Sequence, residues 1–243
     1  MMFKTLPLVL TLFAAMSAAG CQQSNDVAFG KHVREYLLAH PEVLDEAMQK
    51  LAENKRLAQH DLSKASLKTH RQALEADSRD FVANPSGTFT VVEFFDYRCG
   101  YCKSSAPIML DLIKNNPHVR FVFKELPIFG GPSNLAAGVA LTPAGKAKGL
   151  ELYQAFMSDK ALDEESIASH LKSLDIDPAG AKALSDTPAI QKQISDTHAL
   201  AASLGIEGTP AFIIGDQLIP GADMDGLKAA VAGIGSEKTK RPS

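Results

Sequence analysis

The chain has 243 residues, a formal net charge of −3 at neutral pH and 45% apolar residues. This length is sufficient for one domain with a well-formed core and an accessory segment. The net charge is close to zero and basic residues cluster only in the last few positions, so the sequence indicates no binding to nucleic acid.

The first 20 residues have the pattern of an export signal. Lys4 precedes an apolar run from Leu6 to Ala15, which small residues follow. This run is too short to span a bilayer as a helix, and no other apolar segment is long enough to do so. We therefore exclude residues 1–20 from the fold and expect a periplasmic location.

Cys21 directly follows small residues that are similar to the cleavage site of a bacterial lipoprotein. The similarity is incomplete, because Ala18 occupies the position where leucine is usual. Ordinary signal cleavage after Ala19 or Gly20 is the alternative, and it would leave a stray thiol on an exported protein. We favour lipidation of Cys21, which predicts a lipoprotein that is attached to the membrane through this anchor.

Residues 21–80 are predicted to form an N-terminal helical arm. Between residues 26 and 79 there is almost no glycine and one proline, Pro41, within a composition typical of helices. We expect one helix from Asp26 to Ala39 and a second that begins at Pro41. Apolar residues recur every seven positions in the second helix: Leu44, Leu51, Ala58 and Ala65.

This apolar stripe is narrow, and polar residues interrupt it, so it does not predict a complete coiled coil. The arm either folds back on its own domain or forms a homo-oligomer through residues 26–79. The sequence leaves both alternatives open.

A compact domain is predicted from residue 81 to residue 235, before a disordered tail at residues 236–243. Its expected elements in chain order are strand Thr88–Phe95, helix Cys99–Asn115, strand Val119–Phe123, a helical segment at about 133–205, strands Ala211–Ile214 and Gln217–Ile219, and helix Asp223–Ala232. Pro107 should kink the first of these helices. This order predicts an α/β fold in which an all-helical insertion interrupts a sheet.

Cys99-Gly100-Tyr101-Cys102 lies where the first predicted strand of this domain meets a predicted helix. The positive end of a helix stabilises a thiolate, so the pKa of Cys99 is expected to lie below that of a free thiol. Cys102, one helical turn further on, is placed to attack a mixed disulfide and release the substrate. The motif therefore predicts thiol–disulfide exchange without a cofactor.

Half of a structural zinc site is the alternative interpretation of a C-x-x-C motif. Such a site needs two more ligands at a matching spacing. The third cysteine, Cys21, is far upstream, and no two histidines have H-x-x-x-H spacing. We therefore expect no metal site. An oxidising periplasm would allow the cysteine pair to exist as a disulfide.

Three segments carry a resemblance to a known family: VVEFFDYRCGYC, VRFVFKELPIFG and LGIEGTPAFIIG. Through these segments the chain resembles the DsbA-like family of exported disulfide oxidoreductases. It is most similar to the ScsC-like branch, which has an N-terminal helical extension. The resemblance covers essentially the whole chain after the export signal. It implies a thioredoxin fold with an inserted helical domain, in agreement with the predicted order of elements.

The resemblance also implies site residues. Cys99 matches the attacking cysteine, Cys102 the resolving cysteine, and Pro210 a cis-proline that faces the disulfide, with Thr209 before it. The cis bond presents the backbone of Thr209 to an extended substrate segment. An ordinary trans proline at position 210 is the alternative. Gly100 and Tyr101, between the cysteines, are expected to contact the substrate.

Glu93 matches an acidic residue that is buried beneath the active site in this family. A carboxyl group with a pKa raised by burial can take up or relay the proton of the resolving thiol Cys102. The alternative is that Glu93 lies on a solvated face of its strand, since a carboxylate among apolar neighbours is otherwise unexpected.

The residues between the cysteines influence the direction of exchange. Gly100 and Tyr101 provide no cation, and salt screens the exposed charges of Arg98 and Lys103 within about 10 Å. The reduction potential is therefore expected between about −120 and −270 mV. The Gly-Tyr pair also occurs in isomerases of this compartment, and an oligomeric arm would let several active sites face one substrate.

We predict an isomerase or reductase of unfolded or misoxidised secreted proteins, served by a membrane redox partner that the sequence does not identify. An oxidase of the same fold, which donates disulfides, is the first alternative. A lipid-anchored scaffold or peptide-binding protein, with a thioredoxin domain used for docking, is an alternative of another class.

Overall fold

The computed structural model describes the backbone of residues 19–237 and the side chains of residues 28–54 and 64–233. The chain divides into two compact units between Gln59 and His60. Most of the predicted export signal, the side chain of Cys21 and the last six residues of the predicted tail lie outside the described parts. None of the described helices is both long and apolar enough to cross a membrane.

The N-terminal unit contains helix α1 (Ala19–Ala39) and the first part of helix α2 (Glu42–Thr69). The interruption at Pro41 agrees with the sequence, because proline lacks the N–H group that the interior of a helix requires. Large apolar side chains are exposed on both helices at spacings of four and three residues: Phe29, Val33 and Tyr36 on α1, and Leu44, Met48 and Leu51 on α2.

The second unit is built on a five-stranded mixed sheet with strand order β1-β3-β2-β4-β5. The strands are β1 (Phe81–Ala83), β2 (Phe89–Phe95), β3 (Val119–Glu125), β4 (Ala211–Ile214) and β5 (Gln217–Pro220). The central strands β2 and β3 are parallel, whereas the other pairs are antiparallel. Parallel neighbours require a crossover, which helix α4 (Gly100–Asn115) provides.

Every residue between β3 and β4 is described, and this segment forms six helices. They are α5 (Gly131–Ala140), α6 (Pro143–Ala147), α7 (Gly149–Ser158), α8 (Glu164–Ser173), α9 (Pro178–Ser185) and α10 (Pro188–Ser203). Proline occupies one of the first two positions of four of them, where its missing N–H is tolerated. Helix α11 (Met224–Glu237) follows the β4–β5 hairpin. The predicted fold, a thioredoxin-like sheet with a helical insertion, is confirmed.

The end of α2 and the short helix α3 (Arg71–Glu75) belong to the second unit. Leu67 and Leu74 are 1% and 0% exposed and pack on the sheet face opposite α4. On this face the Lys124 ammonium forms a buried ion pair with Asp80. The division between the units therefore lies well before residue 80, where the sequence suggests the end of the arm.

Candidate redox site

Cys99 is the residue before α4, and Cys102 lies in the first turn of this helix, beyond the carboxyl end of β2. Both residues are free thiols. Cys99 is 3% exposed and Cys102 is fully buried, whereas Tyr101 between them is 71% exposed. Cys102 is therefore closed to solvent, whereas Cys99 keeps a small exposed fraction.

The Cys99 thiol is strongly acidic. A hydrogen bond from the Cys102 thiol is the largest of the effects that lower the pKa of Cys99 to about 5. The backbone N–H groups of Cys102 and Tyr101 at the start of the helix act in the same direction, while partial burial opposes them. The helix start thus contributes as the sequence predicts, but the neighbouring thiol contributes more.

The peptide bond between Thr209 and Pro210 is cis, as the resemblance implies. In its protonated form the Cys99 Sγ donates a hydrogen bond of 3.2 Å to the Thr209 carbonyl oxygen. Thr209 also contributes to the low pKa of Cys99. A groove of about 280 Å³ continues from Pro210 between the loop that begins at Gly205 and the end of β5. Thr209, whose carbonyl oxygen contacts the Cys99 sulfur, is one of the residues that line this groove.

Glu93 lies in the middle of β2 and is 1% exposed, so it does not lie on a solvated face. Tyr153 of α7 donates from its hydroxyl group to both carboxyl oxygens of Glu93. Burial raises the pKa of Glu93 to about 8, and the bond from Tyr153 opposes this increase. A carboxyl group with such a pKa can exchange a proton near neutral pH.

Burial also raises the pKa of the Cys102 thiol, and the carboxylate charge of Glu93 raises it further. The resolving thiol is therefore protonated at neutral pH and must lose its proton before it can attack a disulfide. Glu93 is a buried acid on the same side of the sheet, and its charge acts on Cys102.

Asp96 fixes the backbone around the attacking cysteine. Its buried carboxylate accepts hydrogen bonds from the Arg98 N–H at 2.7 Å, the Ile128 N–H at 2.6 Å and the Ser133 hydroxyl at 2.8 Å. The segment before Cys99, the loop after β3 and the first turn of α5 are thus joined through one side chain.

The two charges beside the motif are bound to other groups. The Arg98 guanidinium donates to the Phe129 carbonyl oxygen at 2.9 Å. The Lys103 ammonium donates to the Phe156 carbonyl oxygen at 3.0 Å and to that of Asp159, at the end of α7. Lys103 therefore stabilises the C-terminal end of a helix.

Sequence reasoning missed Tyr153 and Asp96. Tyr153 lies 60 residues after Glu93 and reaches it only because the insertion folds over the sheet. Asp96 could have been found from the same signal as Glu93, since it is an acidic residue at the end of an apolar run.

The second unit matches the DSBA-like thioredoxin domain at residues 90–145 and 133–232. The N-terminal unit matches the copper resistance protein ScsC N-terminal domain at residues 27–56. The family matched by the second unit therefore covers more than half of the chain.

Several solved structures are similar to most of the chain. BcfH of Salmonella enterica Typhimurium is 31% identical, with 88% of this chain and 98% of that chain covered and a TM-score of 0.71. A linker-deletion mutant of Proteus mirabilis ScsC is 28% identical, with 93% and 99% covered and a TM-score of 0.67. The thiol–disulfide exchange protein α-DsbA2 of Wolbachia pipientis is 29% identical, with 73% and 98% covered and a TM-score of 0.66.

One curated relative differs in size from this chain. The Na⁺/H⁺ antiporter NhaA 3 of Salinispora tropica is 26% identical over 170 residues, which are 68% of this chain and 26% of that protein. The chain thus spans about a quarter of the length of the curated relative that it matches.

Proposed function

The chain belongs to the family of DSBA-like thioredoxin-domain proteins, and on this premise we propose that it is an exported thiol–disulfide oxidoreductase that acts on secreted proteins as an isomerase or reductase. The main support is one juxtaposition: the acidic Cys99 thiol lies against the cis Thr209–Pro210 bond, above a buried resolving cysteine. This arrangement provides a nucleophile, a place for the substrate backbone and a group that completes the exchange.

In the first step, the Cys99 thiolate attacks one sulfur of a substrate disulfide. A bond forms between Cys99 Sγ and this sulfur, the substrate disulfide breaks, and its electron pair leaves on the second substrate sulfur as a thiolate. A pKa of about 5 keeps Cys99 ionised at neutral pH. The substrate backbone lies along Thr209 and Pro210 during this step.

The mixed disulfide has two fates. In reduction, Cys102 passes its proton to the Glu93 carboxylate, and its sulfur attacks Cys99 Sγ. The Cys99–substrate bond then breaks, and the substrate sulfur leaves as a thiolate. In isomerisation, a substrate thiolate attacks the substrate sulfur of the mixed disulfide instead, and Cys99 leaves again as a thiolate. Burial makes the Cys102 thiolate scarce, which slows reduction and gives the substrate time to rearrange.

A disulfide-donating oxidase is the second candidate, and the low pKa of Cys99 favours it. Stabilising the thiolate stabilises the reduced form of the pair, so the disulfide form becomes a stronger oxidant. Two measurements distinguish the candidates. They are the reduction potential against glutathione and the redox state of the cysteine pair in the periplasm. An oxidase keeps Cys99 and Cys102 oxidised there, whereas an isomerase keeps them reduced.

Refolding of a substrate with scrambled disulfides tests the proposal. We expect the reduced protein to restore native disulfides, Cys99→Ser to abolish this activity, and Cys102→Ser to retain part of it. If Cys99→Ser left the function of the protein unchanged, the protein would instead be a docking or scaffold protein. A membrane redox partner would restore the reduced pair after each accidental oxidation.

We also propose that the protein is periplasmic and anchored by lipid on Cys21. The support is the signal-like pattern of residues 1–20 and the small residues before this cysteine. Detergent phase partitioning of the mature protein tests the anchor. We expect the wild type in the detergent phase and the Cys21→Ser variant in the aqueous phase. Recovery of the wild type in the aqueous phase would exclude the anchor.

Self-association through the N-terminal unit is a further part of the proposal. The exposed apolar residues of α1 and α2 are spaced as one stripe on each helix, and burial against a second copy would remove them from water. An oligomer would present several Cys99 thiolates to one substrate.

A further inference from the structure

A second buried carboxyl group lies near Glu93 on the same face of the sheet. In the parallel pairing of β2 and β3, Glu93 is opposite Phe123 and Phe95 is opposite Glu125. Opposite residues and residues two apart along a strand share a face, so these four side chains point to the same side. Cys102 belongs to the core cluster on this side. Glu125 is 5% exposed.

Each of the two carboxyl groups has its own tyrosine. Tyr153 donates to Glu93, and Tyr97, two residues before Cys99, donates to Glu125 Oε1 at 2.9 Å. The centroids of the two tyrosine rings are 6.4 Å apart, and Phe95 makes edge contacts with both rings. The two carboxyl–tyrosine pairs thus form one continuous buried cluster.

No cation among the described residues forms an ion pair with Glu93 or Glu125. Lys124 is adjacent to Glu125 in the strand, but it points to the opposite face and is bound to Asp80. Two buried carboxylates without a cation repel each other in a medium of low dielectric, so ionisation of both is strongly disfavoured.

The hydrogen bonds indicate which carboxyl group ionises first. Both oxygens of Glu93 accept from Tyr153. Glu125 Oε2 is buried and has no hydrogen-bond partner, so an ionised Glu125 would hold charge on an atom that no donor stabilises. The negative charge therefore belongs on Glu93, and Glu125 keeps its proton.

We propose that Glu125 is a positioning residue for proton transfer: by remaining protonated beside Tyr97, it allows Glu93 to carry the single negative charge that accepts the proton of Cys102. The role of Glu93 in this statement rests on the proposed function. The two carboxyl groups then titrate as a coupled pair. The second proton leaves at a higher pH than the first, because its loss gives the cluster two negative charges.

Four other titratable groups act electrostatically on Glu125: Asp96 and Tyr97 before α4, Glu93 on β2, and Asp80, which lies on the opposite face. Tyr153 of α7 and Cys102 of α4 interact in the same way with Glu93. Each of these groups is an acid, so its ionisation adds a negative charge and never a positive one. The charge of Asp80 is compensated by Lys124. Burial raises the pKa of Glu125 well above its ordinary value, in agreement with a retained proton.

Titration of the full-length oxidised protein with ¹³C-labelled glutamate carboxyl groups tests the coupling, and Glu93→Gln and Glu125→Gln assign the two signals. In the wild type we expect two steps, with Glu125 losing its proton in the upper one. In Glu93→Gln, the Glu125 step should move at least about one pH unit lower, because the neighbouring charge is gone. Glu164→Gln, on the surface of α8, is the control and should change neither step.

A Glu125 step that stays in place in Glu93→Gln would overturn the proposal, and so would a Glu125 that is already ionised below pH 6. The Glu93→Gln variant keeps the test valid even if Glu125→Gln does not fold. The titration does not depend on exchange activity, so a protein that showed the coupling but failed to refold substrates would contradict the proposed function alone.

Discussion

The hydroxyl group of Tyr153 lies 3.1 Å from Oε1 and 3.2 Å from Oε2 of Glu93, and it donates to this carboxyl group from a helix of the insertion. The insertion therefore reaches the buried acid of the central strand. Its helices are not only a cover for the apolar face, because one of them lowers the pKa of Glu93, which burial raises.

Removal of this hydroxyl should make Glu93 harder to ionise. The bond from Tyr153 opposes the effect of burial, so Tyr153→Phe should raise the pKa of Glu93 further while the ring still fills the core. We expect the pH midpoint for release of substrate from the mixed disulfide to rise and stability to fall by about 1 kcal/mol. Tyr36→Phe, at an exposed position of α1, is the control. An unchanged midpoint in Tyr153→Phe would contradict the assignment of this bond.

Glu93 should make the oxidised protein less stable as pH rises. Its pKa is about 8 in the folded protein and ordinarily 4.5, so between these values the folded state holds a proton that the unfolded state has lost. The free energy of unfolding therefore decreases across this window, by an amount on the order of a few kcal/mol. Glu93→Gln should make this decrease smaller, and the remainder belongs to Glu125, whose pKa is also raised by burial.

Urea denaturation of the oxidised proteins at pH 5 and pH 8 measures the difference, and oxidation removes the titration of the thiols from the comparison. The same decrease in wild type and Glu93→Gln would show that another group is responsible.

Removal of one partner from the buried ion pair between Lys124 and Asp80 should strongly destabilise the protein. Both side chains are 2% exposed, so Lys124→Met leaves an uncompensated carboxyl group in the core. We expect a loss of about 3–5 kcal/mol in the free energy of unfolding, and a much smaller loss in the double variant Lys124→Met/Asp80→Leu. Denaturation curves of the three proteins measure this, and equal losses in the single and double variants would contradict it.

Charges placed on the apolar stripe of α2 should dissociate an oligomer. Leu44 and Met48 are 50% and 69% exposed, and Leu44→Glu/Met48→Glu would put two like charges where we expect the second copy. Sedimentation of the full chain should then show a monomer, whereas the wild type is larger. Asn54→Glu, at an exposed polar position of the same helix, is the control. A wild-type monomer would exclude self-association.

The sequence predicted the elements whose pattern is local. The strand before Cys99, the interruption at Pro41 and the hairpin after Pro210 are each marked by apolar runs, proline or glycine within a few residues. Strand β1 was missed, because its three residues form a strand only through pairing with β3.

Partners distant in sequence were not predictable from these patterns. Leu67 and Leu74 are seven residues apart, a spacing that would let helical residues pack on any apolar surface. Only the fold shows that this surface is the sheet. Burial of Glu93 was expected from the family resemblance, with a solvated face of its strand as the alternative. The identity of its partner Tyr153 depends on how the insertion folds back.

The pH dependence of Cys99 alkylation tests the central claim most directly. In the reduced protein, the rate of reaction with iodoacetamide should follow one ionisation with a midpoint near pH 5, and Cys102 should stay unmodified up to alkaline pH. A midpoint near that of an ordinary thiol, about 8.5, or no reaction of Cys99 in the folded protein, would contradict the account of this site as a redox centre.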